Sequence, residues 1–115
     1  MANYLLLLHE SATLAENIGR TLSAEEIQAM ILKYKNWAGG LAAQNRLLGG
    51  HKLRDNSGRV MKGTSVTDGP YVESKEVIGG YFLIEAGSYD EAVALSRSCP
   101  HLEYGTIEVR EVEPT

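Results

Sequence analysis

Glu76-Val77-Ile78-Gly79-Gly80-Tyr81-Phe82-Leu83-Ile84-Glu85, followed two residues later by Ser88-Tyr89-Asp90-Glu91, is the stretch from which the fold is read. Its β-branched and aromatic residues predict a strand over 76–85, and the paired glycines inside it mark a bulge or a tight contact. Ser88 and Glu91 have capping-box spacing, which opens a helix through Ala92, Val93, Leu95 and Ser96 that Pro100 ends. Beyond it, Ile107-Glu108-Val109-Arg110 alternates apolar and polar residues, as a half-buried last strand does. Strand, capped helix and strand in succession form one β-α-β unit.

A second unit precedes it. The run Tyr4-Leu5-Leu6-Leu7-Leu8 is continuously apolar and suits a short central strand covered on both faces. Residues 10–21 mix Ser, Thr, Asn and Gly and read as a loop with at most a helical turn. Ser23-Ala24-Glu25-Glu26 is another capping box, after which Ile27, Met30, Ile31, Tyr34, Trp37, Leu41 and Leu48 recur at helical spacing. Gly39-Gly40 within that helix implies a kink or a close backbone approach, with close packing against the sheet the plainer reading. Residues 47–53, with Gly49-Gly50, read as a second strand bulged at the glycines, and Asp55-Asn56-Ser57-Gly58 as a turn. Residues 59–67 return as a strand or an ordered loop, and Asp68-Gly69-Pro70 breaks regular structure. The whole order predicts an α+β fold: a ferredoxin-like split βαβ sandwich, an antiparallel sheet with two helices on one face. The uncovered face is expected to pack on a second copy, giving a homodimer with a cavity between the sheets.

The chain of 115 residues is 43% hydrophobic, which fits one domain with one core. A formal net charge of −4, with Lys and Arg scattered, argues against nucleic acid as a partner. The apolar run over 4–8 is too short and wrongly flanked for a signal peptide or a membrane span, so no membrane partner is expected. A lone cysteine, Cys99, rules out an internal disulfide framework and fits a reducing compartment, so a cytoplasmic protein is expected.

The segment from Thr67 through Asp68-Gly69-Pro70-Tyr71-Val72-Glu73-Ser74-Lys75 to Glu85 resembles the signature of the DGPF branch of YCII-related proteins. Ser88-Tyr89-Asp90-Glu91-Ala92, Cys99-Pro100, Gly105-Thr106-Ile107-Glu108-Val109-Arg110, and Tyr34, Trp37 and Asn45-Arg46-Leu47-Leu48-Gly49-Gly50 extend the resemblance over nearly the whole chain. Tyr71 stands where the family name records Phe. The resemblance implies a ferredoxin-like dimeric α/β barrel. It brings no reaction: a catalytic His and Asp have been suggested in other branches, and alignment places Tyr34 and Cys99 at those two positions.

Asp68-Gly69-Pro70 reads equally as a plain turn and as part of a polar rim in which Asp68, Tyr71, Glu73 and Lys75 border the inter-sheet cavity. Asp68 and His101 are the candidate catalytic residues. Tyr34, Trp37, His51, Tyr71, Glu73, Lys75 and Tyr81 are candidate ligand-binding residues, although Tyr34 and Trp37 lie on an apolar helix face where core packing is the commoner role. His101 can approach Cys99 if the loop folds back, but the plainer readings are an ordinary loop histidine and a buried structural thiol. His9 and His51 could join Asp68 or His101 in a His-lined pocket. No metal-ligand spacing, phosphate-cradling glycine motif or nucleophile elbow is present, so neither a metal nor another cofactor is expected. Two classes of function remain. One is an enzyme or binding protein acting on a small molecule in the dimer cavity, such as an isomerase, a cofactor-free monooxygenase or a hydrolase. The other is a non-catalytic regulatory or interaction module linked to transcription.

Overall fold

The structure is a computed structural model that describes residues 1–69 and 75–115. Its strands are β1 (Ala2–Ser11), β2 (Leu47–Lys52), β3 (Arg59–Lys62), β4 (Ser65–Asp68), β5 (Glu76–Ala86) and β6 (Thr106–Glu111). Its helices are α1 (Leu14–Thr21), α2 (Ala24–Ala43) and α3 (Tyr89–Ser96), and a 3-10 turn spans Pro100–Glu103. β2, β5, β1 and β6 lie in that order in one antiparallel sheet, and β3 and β4 form a separate two-stranded hairpin. The order places both crossover connections where a ferredoxin-like fold requires them, so the predicted architecture holds.

Alternation along β1 decides what each face does. Tyr4, Leu6 and Leu8 are buried, while Leu5 and Leu7 on the opposite face are half-buried. Tyr4 pairs with Ile84 and Leu6 with Phe82, and Leu41 from α2 and Ala92 from α3 close over them to form the core. Leu6 and Ile84 are fully buried; full burial of such side chains stabilises by about 1.5–3 kcal/mol each. Trp37 packs edge-on to Phe82 with centroids 5.0 Å apart, and its indole N–H donates to the Leu95 carbonyl at 3.3 Å and the Ser98 hydroxyl at 3.1 Å.

Several expectations are corrected. Residues 10–21 are not a loop: β1 runs on to Ser11 and α1 follows, with Leu14, Ala15 and Ile18 on a half-buried stripe and a Glu16–Arg20 ion pair one turn apart on its exposed side. Among the described residues the α-helices therefore number three. Leu48 does not continue α2, which stops at Ala43; Asn45 takes φ 59° and the Arg46 N–H closes back on the Leu41 carbonyl at 2.9 Å. Leu48 instead sits in β2 at a break in register against β5. Nor do Gly39 and Gly40 mark a kink or a close approach, since α2 is continuous and a Cβ at either would meet open space. Within β5 the expected bulge is present: Leu8 faces Gly80 and His9 faces Ile78, which leaves Gly79 as the extra residue.

Candidate functional site

Because the extra residue lies in β5, β1 keeps its alternation past the bulge, so His9 is on the open face and Glu10 on the helix side. The Glu10 carboxylate occupies the space that a side chain at position 79 would fill. Only glycine there leaves room for it. Partial burial pushes the Glu10 carboxyl above the ordinary value of 4.5; His101 in its protonated form and the Lys52 ammonium oppose the shift without cancelling it.

Beside it stands His101, which is 2% exposed. A histidine buried this deeply needs partners for both ring nitrogens. Nε2 lies 2.8 Å from the His9 carbonyl oxygen and Nδ1 3.1 Å from the Tyr34 hydroxyl. A carbonyl only accepts, so Nε2 carries the proton, and in the neutral ring Nδ1 accepts from the Tyr34 O–H. Gly105 makes the first bond attainable, because a Cβ at that position would collide with the His9 carbonyl and lie 3.0 Å from Nε2. Tyr34 titrates well above its ordinary value of 10.0, through burial first and then through the negative forms of Cys99 and Glu10. It is therefore a neutral phenol at physiological pH.

Tyr34 and Cys99, the two positions that the resemblance assigns to a dyad, thus lie near one another. Cys99 is buried and free, and burial pushes its thiol up. The imidazole of His101 binds Tyr34 and His9 rather than the thiol, so the geometry is that of a structural cysteine. The reading of His101 as an ordinary loop residue is overturned: the 3-10 turn from Pro100 carries it inward.

Glu10 also borders a cavity of about 270 Å³ between the end of the sheet, α1 and the root of the β3–β4 hairpin. Arg54, Asp55, Asn56, Ser57 and Asp68 supply its polar wall, and Leu53, Val77 and Ile78 its apolar part. That size is at the small end for ligand pockets and admits a ring or a short chain. A wider groove of about 540 Å³, bordered by Lys33, Trp37, Arg97 and Cys99, lies along the outside of the helices.

The remaining sequence candidates are divided among separate places. Asp68 ends β4 and is largely exposed, paired with Arg59 at 3.2 Å, but it does reach the cavity wall. Lys75 is exposed with φ 61°, and its carbonyl accepts from the Ala12 N–H at 3.1 Å. Tyr71 and Glu73 lie outside the described residues. Trp37 belongs to the core. His51 and Tyr81 face each other on the open side of the sheet, with Nδ1 and the hydroxyl 3.0 Å apart. His9 is on that side too, but its Nε2 meets Glu108 at 2.8 Å, and His9 and Arg110 hold the Glu108 carboxyl below its ordinary value. The expected His-lined pocket is therefore not assembled: His9 and His51 are engaged with different partners on one face, and the ring of His101 lies on the other. Sequence reasoning missed Glu10 altogether. The available signal was a carboxylate two residues beyond the apolar run 4–8, with a glycine pair in another strand of the same sheet.

The family model described as YCII-related domain matches residues 4–115. No curated protein matches the chain significantly. A solved structure of 5-chloro-2-hydroxyhydroquinone dehydrochlorinase from Burkholderia phenoliruptrix AC1100, in complex with 2,5-dihydroxybenzoquinone, is similar at 15% identity and a TM-score of 0.55, over 98% of this chain and 95% of that chain. Likeness at that identity speaks for the fold and not for the reaction. With the family model spanning nearly the whole chain and the β2-β5-β1-β6 sheet in agreement, this chain belongs to the YCII-related domain family.

Proposed function

We propose that this protein binds and transforms a small molecule by proton transfer, with Glu10 as the acid–base group. The observation that carries the reading is the placement of Glu10: a partly buried carboxyl, raised above its ordinary value, at the wall of a ring-sized cavity. Carboxyl groups tuned upward in this way are suited to accept and return protons near neutral pH. A Glu10 oxygen takes a proton from an acidic C–H or O–H of the ligand, the electron pair stays on the ligand as an enolate or phenolate, and the proton then returns from the carboxylic acid. Tyr34 and His101, bonded to each other behind Glu10, act as positioning residues. The structural neighbour adds a precedent for a ring compound held by this fold.

The same reading includes a homodimer. Leu5, Leu7 and Leu83 are half-buried and Ile78 is 42% exposed on the face that the helices leave open, in a molecule only 18 Å thick. A second copy laid sheet to sheet would bury that strip and enclose the His51–Tyr81 pair.

Exchange of the ring hydrogens of 2,5-dihydroxybenzoquinone with D₂O, followed by proton NMR, tests the acid–base role. Wild-type protein accelerates exchange, and Glu10→Gln loses about 10²–10⁴ of that acceleration while staying folded. Equal rates for the two proteins would remove Glu10 from the chemistry.

A further inference from the structure

We infer that the Glu10 cavity selects a small anionic compound, a carboxylate or a comparably charged ring acid, through the guanidinium of Arg54; this rests on the acid–base reading above. The inference comes from which charges around the cavity are already matched. Asp55 is paired with Lys52 at 2.9 Å, and Asp68 with Arg59 at 3.2 Å. Two of the three carboxyl groups in the wall, Asp55 and Asp68, thus have a cation of their own, and the third, Glu10, is raised toward its neutral form. Arg54, which borders the same cavity, has no carboxylate and no hydrogen-bond acceptor among the described residues. Among the described residues it is the only cation in the wall.

A guanidinium beside a carboxyl group is a workable arrangement for an acid that must also lose a proton. Arg54 can bind the ligand's anionic group through two parallel N–H donors, a geometry that discriminates against neutral isosteres. Asn56 and Ser57, on the same turn, add uncharged donors beside it. The apolar part, Leu53 and Val77, suits the flat or aliphatic body of such a compound. Charge then also fixes orientation: with its anionic end on Arg54, the ligand presents its other end to Glu10.

The test uses 2,5-dihydroxybenzoate and its neutral counterpart 2,5-dihydroxybenzamide as probes, titrated by calorimetry into wild type, Arg54→Gln and Glu10→Gln. Wild type is expected to bind the carboxylate at least ten-fold more tightly than the amide. Arg54→Gln should lose that preference by weakening the carboxylate alone, and Glu10→Gln should keep it. Arg54 is exposed, so its replacement leaves the fold intact. Equal binding of the two probes by wild type, an unchanged preference in Arg54→Gln, or no binding of either probe would each overturn the inference. Its failure is separable from failure of the acid–base role, which the exchange rate of Glu10→Gln reports without reference to ligand charge.

Discussion

The imidazole of His101 donates from Nε2 to the main-chain carbonyl of His9 across 2.8 Å, joining the turn before β6 to the end of β1. That bond orients the ring so that Nδ1 meets Tyr34. The site is therefore held by a backbone contact that depends on a residue with no side chain, Gly105.

Gly105→Ala is expected to break this contact. The added methyl collides with main chain and not with a flexible side chain, so relaxation must move β1 or the turn. A loss of about 1–3 kcal/mol follows, as for overpacking in a tight interior. Urea unfolding measures it, and loss of the His101 Nε2–H signal in proton NMR reports the broken bond.

His101→Leu leaves the His9 carbonyl and the Tyr34 hydroxyl without their partner. Each buried polar group left unpaired costs about 1–3 kcal/mol, so roughly 2–6 kcal/mol is expected. Tyr34→Phe removes only one of the two bonds and should cost less. Equal destabilisation by the two variants would count against the network.

Stability should depend on pH through Glu10 with a defined sign. Its folded value lies above 4.5, so the native state holds the proton more tightly than the unfolded chain, and stability falls as pH rises from about the unfolded value through the folded one. Glu10→Gln imitates the protonated form. Its stability relative to wild type should therefore increase between pH 4 and pH 7, measured by urea unfolding across that range. A difference that shrinks over the same interval would show that Glu10 is stabilised as the anion.

Assembly is tested by sedimentation. The wild-type protein should run at about 25 kDa, twice the 12.6 kDa of one chain, and Leu7→Glu on the open face should run as one chain. A monomeric wild type would remove the inter-sheet cavity.

Most of the fold was legible because its signals are local. Ser23 and Ser88 cap the starts of α2 and α3, with the full capping box only at α2 since Glu91 bonds the Gly87 N–H, and the apolar runs at 4–8 and 81–84 marked the central strands. α1 escaped because Thr13, Asn17, Gly19 and Thr21 gave its segment a loop-like composition, although Leu14, Ile18 and Leu22 keep helical spacing. The site was less legible. His101 and Tyr34 could each be nominated, but their pairing spans 67 positions and requires the 3-10 turn that brings His101 inside. Glu10 gains its character from absent atoms, the missing Cβ of Gly79, and no spacing rule reports a space. The expected grouping failed because His9 and His51 share one face but sit on strands separated by β5 and are held by different partners, while the 3-10 turn carries the ring of His101 to the other face.

The most direct measurement of the central claim is the titration of the Glu10 side-chain carboxyl by ¹³C NMR in wild type and in Gly79→Ala. An alanine there takes the space that the carboxylate occupies and moves it toward solvent at little cost, because only the end of a flexible side chain must shift. Glu10 should titrate above 4.5 in wild type and return toward that value in Gly79→Ala, with acceleration of ring-hydrogen exchange falling alongside. A wild-type midpoint at or below 4.5, or exchange that is indifferent to Gly79→Ala while the midpoint moves, would contradict the account.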